Sequence, residues 1–141
     1  MNIYFACSIT GGREFEPIYR AITAALLADG HDVPTAHLAE TGVKLLEGQV
    51  DPQQIFDRDT AWIRGCEALV AEVSTPSHGV GYEVAYALNL NKPVLCVYRE
   101  GQPVSKMLSG NSNPSISVKS YRDSTEAIEL IRAFLIRQIE L

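Results

Sequence analysis

The chain has 141 residues, 46% of them hydrophobic and 21% charged, which is typical of one ordinary globular domain with a real hydrophobic core. Its net charge of −5 leaves no basic footprint for the backbone of a nucleic-acid polymer. No apolar stretch approaches the ~20 residues that cross a membrane. We therefore expect a single domain over residues 1–141 that binds neither a nucleic-acid polymer nor a membrane.

The chain begins with a strand-like run that lacks the basic region and cleavage site of a secretory signal, so a cytoplasmic protein is expected. Its three cysteines, Cys7, Cys66 and Cys96, are odd in number and have no CxxC spacing. They lie in or beside apolar runs, which predicts buried, reduced thiols.

Apolar runs typical of strands alternate with stretches of helical period. The predicted strands are 2–7, 31–35, 68–73, 93–98 and 116–121. The predicted helices are about 13–29, 52–66, 80–91 and 123–140, and segments 40–51 and 99–115 are predicted to be irregular. Continuously apolar strands alternating with helices indicate a parallel sheet that is covered on both faces.

The predicted fold is therefore α/β: a single Rossmann-like or flavodoxin-like domain with a five-stranded parallel sheet, helices on both faces and strand order 2-1-3-4-5. In such sheets ligands bind beyond the carboxyl ends of the strands, at the topological switch point. That rule selects the loops after the first and third predicted strands as the candidate site.

The loop after the first strand contains two glycines, Gly11 and Gly12, which let the backbone approach a ligand closely. Free N–H groups at the start of the following helix favour an anion, and Ser8, Thr10 and Arg13 can add donors. An ordinary tight turn explains the same residues. The loop is neither a Walker loop nor a GxGxxG motif.

The loop after the third strand offers a second turn with hydroxyls and glycines. Ser77 and the amides near Gly79 and Gly81 can converge with the first loop on one ligand. The alternative is a simple turn in which Ser74 or Ser77 caps the helix.

Two carboxylates lie on helix faces where hydrophobic residues are expected. The helical neighbours of Glu83 are Gly79, Val80, Tyr86 and Ala87, and those of Asp59 are Ile55, Phe56, Trp62 and Ile63. An inward carboxylate is costly unless it is hydrogen-bonded or functional, so each one alone is also compatible with a structural role. As a pair they suit glycosidic chemistry, in which one acid attacks and the other manages the proton.

Tyr4 lies on the first predicted strand, where its phenol can reach either acid or simply pack. The histidines His31, His37 and His78 show no metal-ligand spacing, so no metal site and no cofactor are expected. His37 ends the second predicted strand and can face a phosphate.

With these residues together, the chain resembles the 2′-deoxynucleoside 5′-phosphate N-hydrolases of the nucleoside 2-deoxyribosyltransferase superfamily. The resemblance rests on residues 4–13 (YFACSITGGR), 59–62 (DTAW) and 70–83 (VAEVSTPSHGVGYE), and it continues through 92–96 (KPVLC) and 104–107 (VSKM). The long PSHGVGYE stretch is the most specific part.

The resemblance implies a Rossmann-like fold that cleaves the N-glycosidic bond of nucleoside monophosphates. Glu83 matches the family nucleophile, which forms a glycosyl-enzyme intermediate. Asp59 matches the carboxylate that positions the substrate and shuttles the proton, and Tyr4 matches the tyrosine that orients this pair. The residues implied to bind the substrate and its phosphate are Ser8, Ile9, Thr10, Gly11, Gly12, Arg13, His37, Ser77, Gly79, Ser105 and Met107.

In the family, the serine equivalent to Ser105 reaches the phosphate of the neighbouring subunit. The resemblance therefore implies a homodimer with shared sites, in which Met107 lines the same pocket. Members of the mammalian type carry an arginine at the position of Thr10, and losing that guanidinium changes phosphate binding or the choice among bases.

The predicted function is hydrolysis of (2′-deoxy)nucleoside 5′-monophosphates to free base and (deoxy)ribose 5-phosphate, by a retaining mechanism that uses two carboxylates. Two alternatives remain open. One is a deoxyribosyltransferase that acts on unphosphorylated nucleosides, and the other is a non-catalytic nucleotide-binding module on the same fold.

Overall fold

In a computed structural model, which describes residues 1–140, four parallel strands form one sheet in the order β1-β2-β3-β4. The strands are β1 (Ile3–Ala6), β2 (Ala68–Glu72), β3 (Val94–Arg99) and β4 (Ile116–Tyr121). The helices are α1 (Glu16–Ala28), α2 (Val43–Glu47), α3 (Pro52–Gly65), α4 (His78–Asn89), α5 (Lys106–Ser109) and α6 (Ser124–Glu140). The predicted α/β class with a parallel sheet is confirmed.

Two hydrophobic cores lie on opposite faces of the sheet. Ile3 and Phe5 of β1 join the core that α1 and α6 build, whereas Tyr4 and Ala6 join the core of α3 and α4. Strand β2 is buried along its whole length, as expected for a central parallel strand. The alternation along β1 therefore directs Tyr4 toward the helices that carry the two candidate acids.

The prediction of five strands is wrong, because the predicted second strand forms only one parallel bridge beside β1. Ile3 N–H donates to the Asp32 carbonyl at 2.8 Å, but the next donor of this ladder would be Pro34, which has no N–H. The Phe5 N–H bonds to Thr35 Oγ1 instead, at 3.0 Å. The chain then turns into a 3-10 helix over Ala36–Ala39.

The two segments predicted to be irregular each contain a short helix, so that prediction is wrong in part. Helix α2 begins after Gly42, whose φ of +84° is readily adopted by glycine. Helix α5 begins after Ser105, whose Oγ accepts from Met107 N–H at 3.2 Å. Local caps of this kind are enough to start a turn of helix without a periodic apolar stripe.

The three cysteines are free and buried, as predicted. Burial raises the pKa of the Cys7 thiol to about 11 and that of Cys96 to about 12, so both stay protonated near neutral pH. Within residues 1–140, no helix combines the length and the apolar character needed to cross a membrane.

Replacing Thr35 with valine should lower the free energy of unfolding by about 1–3 kcal/mol, because it leaves the buried Phe5 N–H without an acceptor while conserving shape. Urea denaturation measures this. Thr125→Val, at an exposed position of α6, is the matched control. Equal stability of the two variants would contradict the role assigned to the Thr35 hydroxyl.

Candidate active site

Two loops meet at the carboxyl end of the sheet. The first loop (7–15) follows β1, and the second loop (73–77) follows β2. A Cβ placed on Gly11 would lie 2.3 Å from the Pro76 carbonyl oxygen, and one on Gly12 would lie 3.6 Å from a methyl group of Thr75. Gly12 also has a φ of +134°. Gly11 thus lets the loops touch, and Gly12 supplies a backbone conformation that other residues rarely adopt, at the strand pair that the switch-point rule selects.

Ser8 contributes an unpaired hydroxyl to this contact. The residue is fully buried, and its Oγ has no hydrogen-bond partner within the part of the chain that the structure describes. It lies 2.9 Å from the position of a Cβ on Gly11. Buried polar atoms are nearly always paired, so this hydroxyl is an exception within the described part of the chain.

Arg13 is held by the protein itself. Its Nε donates to Glu16 at 3.0 Å, one terminal N–H donates to the Ser8 carbonyl at 2.9 Å, and the other terminal nitrogen donates to the Glu40 carbonyl at 3.1 Å. The guanidinium also lies 5.2 Å from the centre of the Tyr19 ring. These contacts make Arg13 a clamp on the first loop, with little donor capacity left for a ligand.

The N-terminus of α4 closes the other side of the site. Ser77 caps this helix, because its Oγ accepts from Val80 N–H at 3.3 Å. A Cβ on Gly79 would lie 3.8 Å from Glu83 Oε1 and 3.9 Å from Ser77 Oγ. The free amides of the first turn and the helix dipole favour an anion here, directly beside the Glu83 carboxyl.

Tyr4 and Glu83 form a direct hydrogen bond, in which the buried phenol donates to Glu83 Oε2. Burial raises the pKa of Glu83 to about 8. The inward orientation predicted from helical periodicity is therefore the observed one, and a partly buried carboxyl is fixed by a side chain from the neighbouring strand.

Asp59 lies in a second cluster, on α3. Arg58 Nε donates to Asp59 Oδ1 at 2.8 Å, and Arg58 also binds Glu47 of α2 at 2.9 Å. The guanidinium lies 4.9 Å from the centre of the Trp62 ring. Burial raises the pKa of Asp59, and the Arg58 charge opposes that change. Helices α3 and α4 pack together, so the two acids lie on adjacent helices of one layer.

The other predicted site residues lie in different parts of the structure. His37 Nε2 lies 3.2 Å from Glu47 Oε1, and its ring packs edge-on against Trp62 with centroids 5.8 Å apart. His37 thus joins the Asp59 cluster. In the first loop, Ile9 packs against the core of α1 and α6, and Thr10 is exposed.

Ser105 and Met107 lie elsewhere in the same chain. They line a cavity of about 660 Å³ together with Ser77 and His78, and Glu83 is not among the residues that line it. Met107 is 81% exposed. Within one protomer these two residues therefore face the start of α4 across a cavity that Glu83 does not line.

Sequence reasoning missed Glu72, the last residue of β2. Its side chain is fully buried and accepts hydrogen bonds from Ser74 N–H at 2.6 Å, from Ser74 Oγ at 2.9 Å and from the Tyr121 hydroxyl. Ser74 Oγ in turn accepts from Arg99 N–H at 2.8 Å. A single acid inside the apolar run 68–73 was the available signal.

The geometry defines an α/β domain with a polar loop pair and inward carboxyls at the carboxyl edge of a parallel sheet. The family profile described as nucleoside 2-deoxyribosyltransferase matches residues 3–126, which is most of the chain. The protein belongs to this family.

Individual relatives agree with this assignment. The 5-hydroxymethyl-dUMP N-hydrolase of Danio rerio is 39% identical over 127 residues, covering 87% of this chain and 88% of that protein. The Mus musculus enzyme of the same name is 40% identical over 118 residues, covering 81% and 68%. A relative from Methanococcoides burtonii, named provisionally as a 2′-deoxynucleoside 5′-phosphate N-hydrolase, is 40% identical over 119 residues, covering 84% and 98%.

A solved structure shares the fold. The CMP N-glycosidase of Clostridium botulinum superposes with a TM-score of 0.72, covering 94% of this chain and 98% of that chain at 15% identity. Together with the named N-hydrolases, the family places the protein among the glycosidase enzymes.

Glu83→Gln should stabilise the protein increasingly as the pH rises. Burial raises the pKa of Glu83 from the ordinary 4.5 of an unfolded chain to about 8, so between these values the folded state holds a proton that the unfolded chain has lost. The wild-type free energy of unfolding therefore falls as pH increases across this window, and the neutral variant escapes the loss. Between pH 5 and pH 8, the free energy of unfolding of Glu83→Gln should increase by at least about 1 kcal/mol relative to that of the wild type.

Denaturation at several pH values measures this difference. Glu129→Gln, at an exposed position of α6, is the control, and its stability difference from the wild type should not change with pH. The same result for Glu83→Gln would show that burial does not perturb this carboxyl.

Proposed function

We propose that the protein hydrolyses the N-glycosidic bond of (2′-deoxy)nucleoside 5′-monophosphates, releasing the base and (deoxy)ribose 5-phosphate. The observation that carries the proposal is the Tyr4–Glu83 hydrogen bond beside the anion-favouring N-terminus of α4. The relatives named as N-hydrolases of deoxynucleoside monophosphates supply the same substrate class.

In the proposed reaction the ionised Glu83 carboxylate attacks the anomeric carbon as the bond to the base breaks. Asp59 delivers a proton to the departing base and then takes one from the water that hydrolyses the glycosyl ester. Tyr4 orients the nucleophile. Burial favours neutral Glu83 in the free protein, but the same low dielectric strengthens its attraction to a cationic, oxocarbenium-like sugar.

The phosphate would bind between the two loops. Ser8 offers its unpaired hydroxyl, Ser77 and the Gly79 amide lie at the start of α4, and Gly11 lets the two loops meet beside these groups. Arg13 contributes by holding the first loop in shape. The exposed Thr10 supplies a hydroxyl at most, so the phosphate relies on amides and hydroxyls more than on a guanidinium.

A panel of deoxynucleoside and nucleoside monophosphates, scored for released base, tests the activity. At least one should be cleaved, and Glu83→Ala should lower kcat/KM on the order of 10³-fold. Azide should restore turnover in that variant and yield a glycosyl azide, because the anion replaces the lost nucleophile. Glu129→Ala should behave as the wild type. An unimpaired Glu83→Ala enzyme would refute the mechanism.

The family profile also favours a second candidate, transfer of deoxyribose between bases. Unphosphorylated deoxynucleosides tested with and without an acceptor base distinguish the two functions. Hydrolysis restricted to monophosphates supports the first, and base exchange on free nucleosides supports the second.

We propose further that a homodimer completes each site with Ser105 from the other protomer. The exposed Ser105 and Met107 lie on a surface that a second copy can reach. Mixing Ser105→Ala with Glu83→Gln protein should then restore about a quarter of wild-type activity, because half the dimers are mixed and each holds one intact site. If both residues serve the same chain's site, mixing restores nothing.

A further inference from the structure

Glu47 is a buried acid on a short surface helix. Helix α2 spans only Val43–Glu47, and its exposed face carries Leu45 and Leu46, yet the Glu47 side chain is 9% exposed. Both of its carboxylate oxygens bond to Arg58, at 2.9 and 3.3 Å. A buried charge is costly unless it is paired, so this pair fixes α2 against α3.

Arg58 is shared between two carboxylates. Its terminal nitrogens hold Glu47 as a fork, and its Nε, which remains free in that arrangement, donates to Asp59 at 2.8 Å. The guanidinium rests on Trp62, at 4.9 Å from the ring centre. The Glu47 carboxylate and the Trp62 ring thus fix the orientation of the guanidinium independently of Asp59.

We propose that Arg58 and Glu47 are positioning residues for Asp59: the shared guanidinium fixes the orientation of the Asp59 carboxyl and controls its charge state. This inference rests on the proton-transfer role given to Asp59 in the proposed function. The short helix α2 then belongs to the catalytic arrangement through Glu47.

The charged groups that face Asp59 come from three elements. Arg58 of the same helix lowers its pKa, Glu47 of α2 raises it and His37 of the 3-10 helix lowers it, all against the larger effect of burial. Helix α4 also packs on α3, and its Glu83 carboxyl is engaged by Tyr4.

The two partners of one ion pair should therefore act in opposite directions. Glu47→Gln removes a repelling charge and leaves Arg58 entirely to Asp59, so the Asp59 pKa falls. Arg58→Met removes the attracting charge and the hydrogen bond, so the pKa rises. If the substitutions only loosened the contact between α2 and α3, the Asp59 pKa would shift in the same direction in both variants.

Carbon-13 NMR titration of the Asp59 carboxyl in the full-length protein tests this, with the resonance assigned by Asp59→Asn. We expect a shift of about 0.5–1 pH unit downward in Glu47→Gln and upward in Arg58→Met. Arg58→Lys, which keeps the charge but cannot serve both carboxylates, should give a smaller upward shift. Repeating the titrations with His37→Asn removes the imidazole charge from the comparison.

The Arg132–Asp29 pair is the matched control, because it joins α6 to the end of α1 with Nε–Oδ2 at 2.7 Å. Arg132→Met should leave the Asp59 titration unchanged. Shifts of the same sign in Glu47→Gln and Arg58→Met, or no shift in either, would overturn the inference.

Kinetics supply a second, separable readout. If the wild-type protein is an active hydrolase, Glu47→Gln and Arg58→Met should each lower kcat more than they raise KM. The reason is that each substitution displaces Asp59, which acts in the chemical step. If the protein cleaves no nucleoside monophosphate, the proposed function fails. The NMR titration then still decides whether Arg58 and Glu47 control Asp59.

Discussion

The hydrogen bonds of the buried Glu72 carboxyl are the interactions on which the carboxyl end of the sheet depends. Glu72 ends β2, accepts from Tyr121 at the end of β4, and holds both the amide and the hydroxyl of Ser74, which in turn accepts from Arg99 at the end of β3. Three strands and the second loop are therefore joined through one side chain. Burial raises the pKa of Glu72, and the hydrogen bonds from Tyr121 and Ser74 oppose this rise. A buried carboxyl with three donors is a rigid anchor, because both of its oxygens are paired and Oε2 accepts from two side chains at once.

From that anchor the site is assembled by short steps along the chain. Ser74 fixes the start of the second loop, Pro76 then meets Gly11 of the first loop, and Ser77 caps the helix that presents Glu83. From Ser74 to Glu83, ten residues of chain thus carry the second loop, its contact with the first loop and the nucleophile candidate. The acid cluster around Asp59 is built differently, from side-chain ion pairs that link α2 and α3.

Local pattern predicted the parts of the molecule whose causes are local. Glu83 and Asp59 stood out because a helix brings residues three and four apart together, and the structure orients Glu83 inward as that periodicity requires. The alternation of strands and helices likewise gave the parallel sheet. Three features escaped because their causes are distant in sequence. The fifth strand fails at Pro34, whose missing N–H matters only once β1 lies beside it. Glu47 meets Arg58 across eleven positions, and Glu72 meets Tyr121 across forty-nine.

The Pro34–Thr35 turn that ends the sheet beside β1 has a consequence for how the protein behaves among its own copies. Open strand edges are templates for pairing between chains, and natural proteins cover or charge them. Here the Thr35 hydroxyl occupies the Phe5 amide, and the following 3-10 helix contributes Leu38 and Ala39 to the same core as Phe5. The opposite margin is β4, which pairs with β3 on one side and carries the exposed Lys119 in mid-strand. The two margins of the sheet are thus protected against pairing with other chains by different means. At one margin the Thr35 hydroxyl binds the Phe5 amide, and at the other Lys119 places a positive charge.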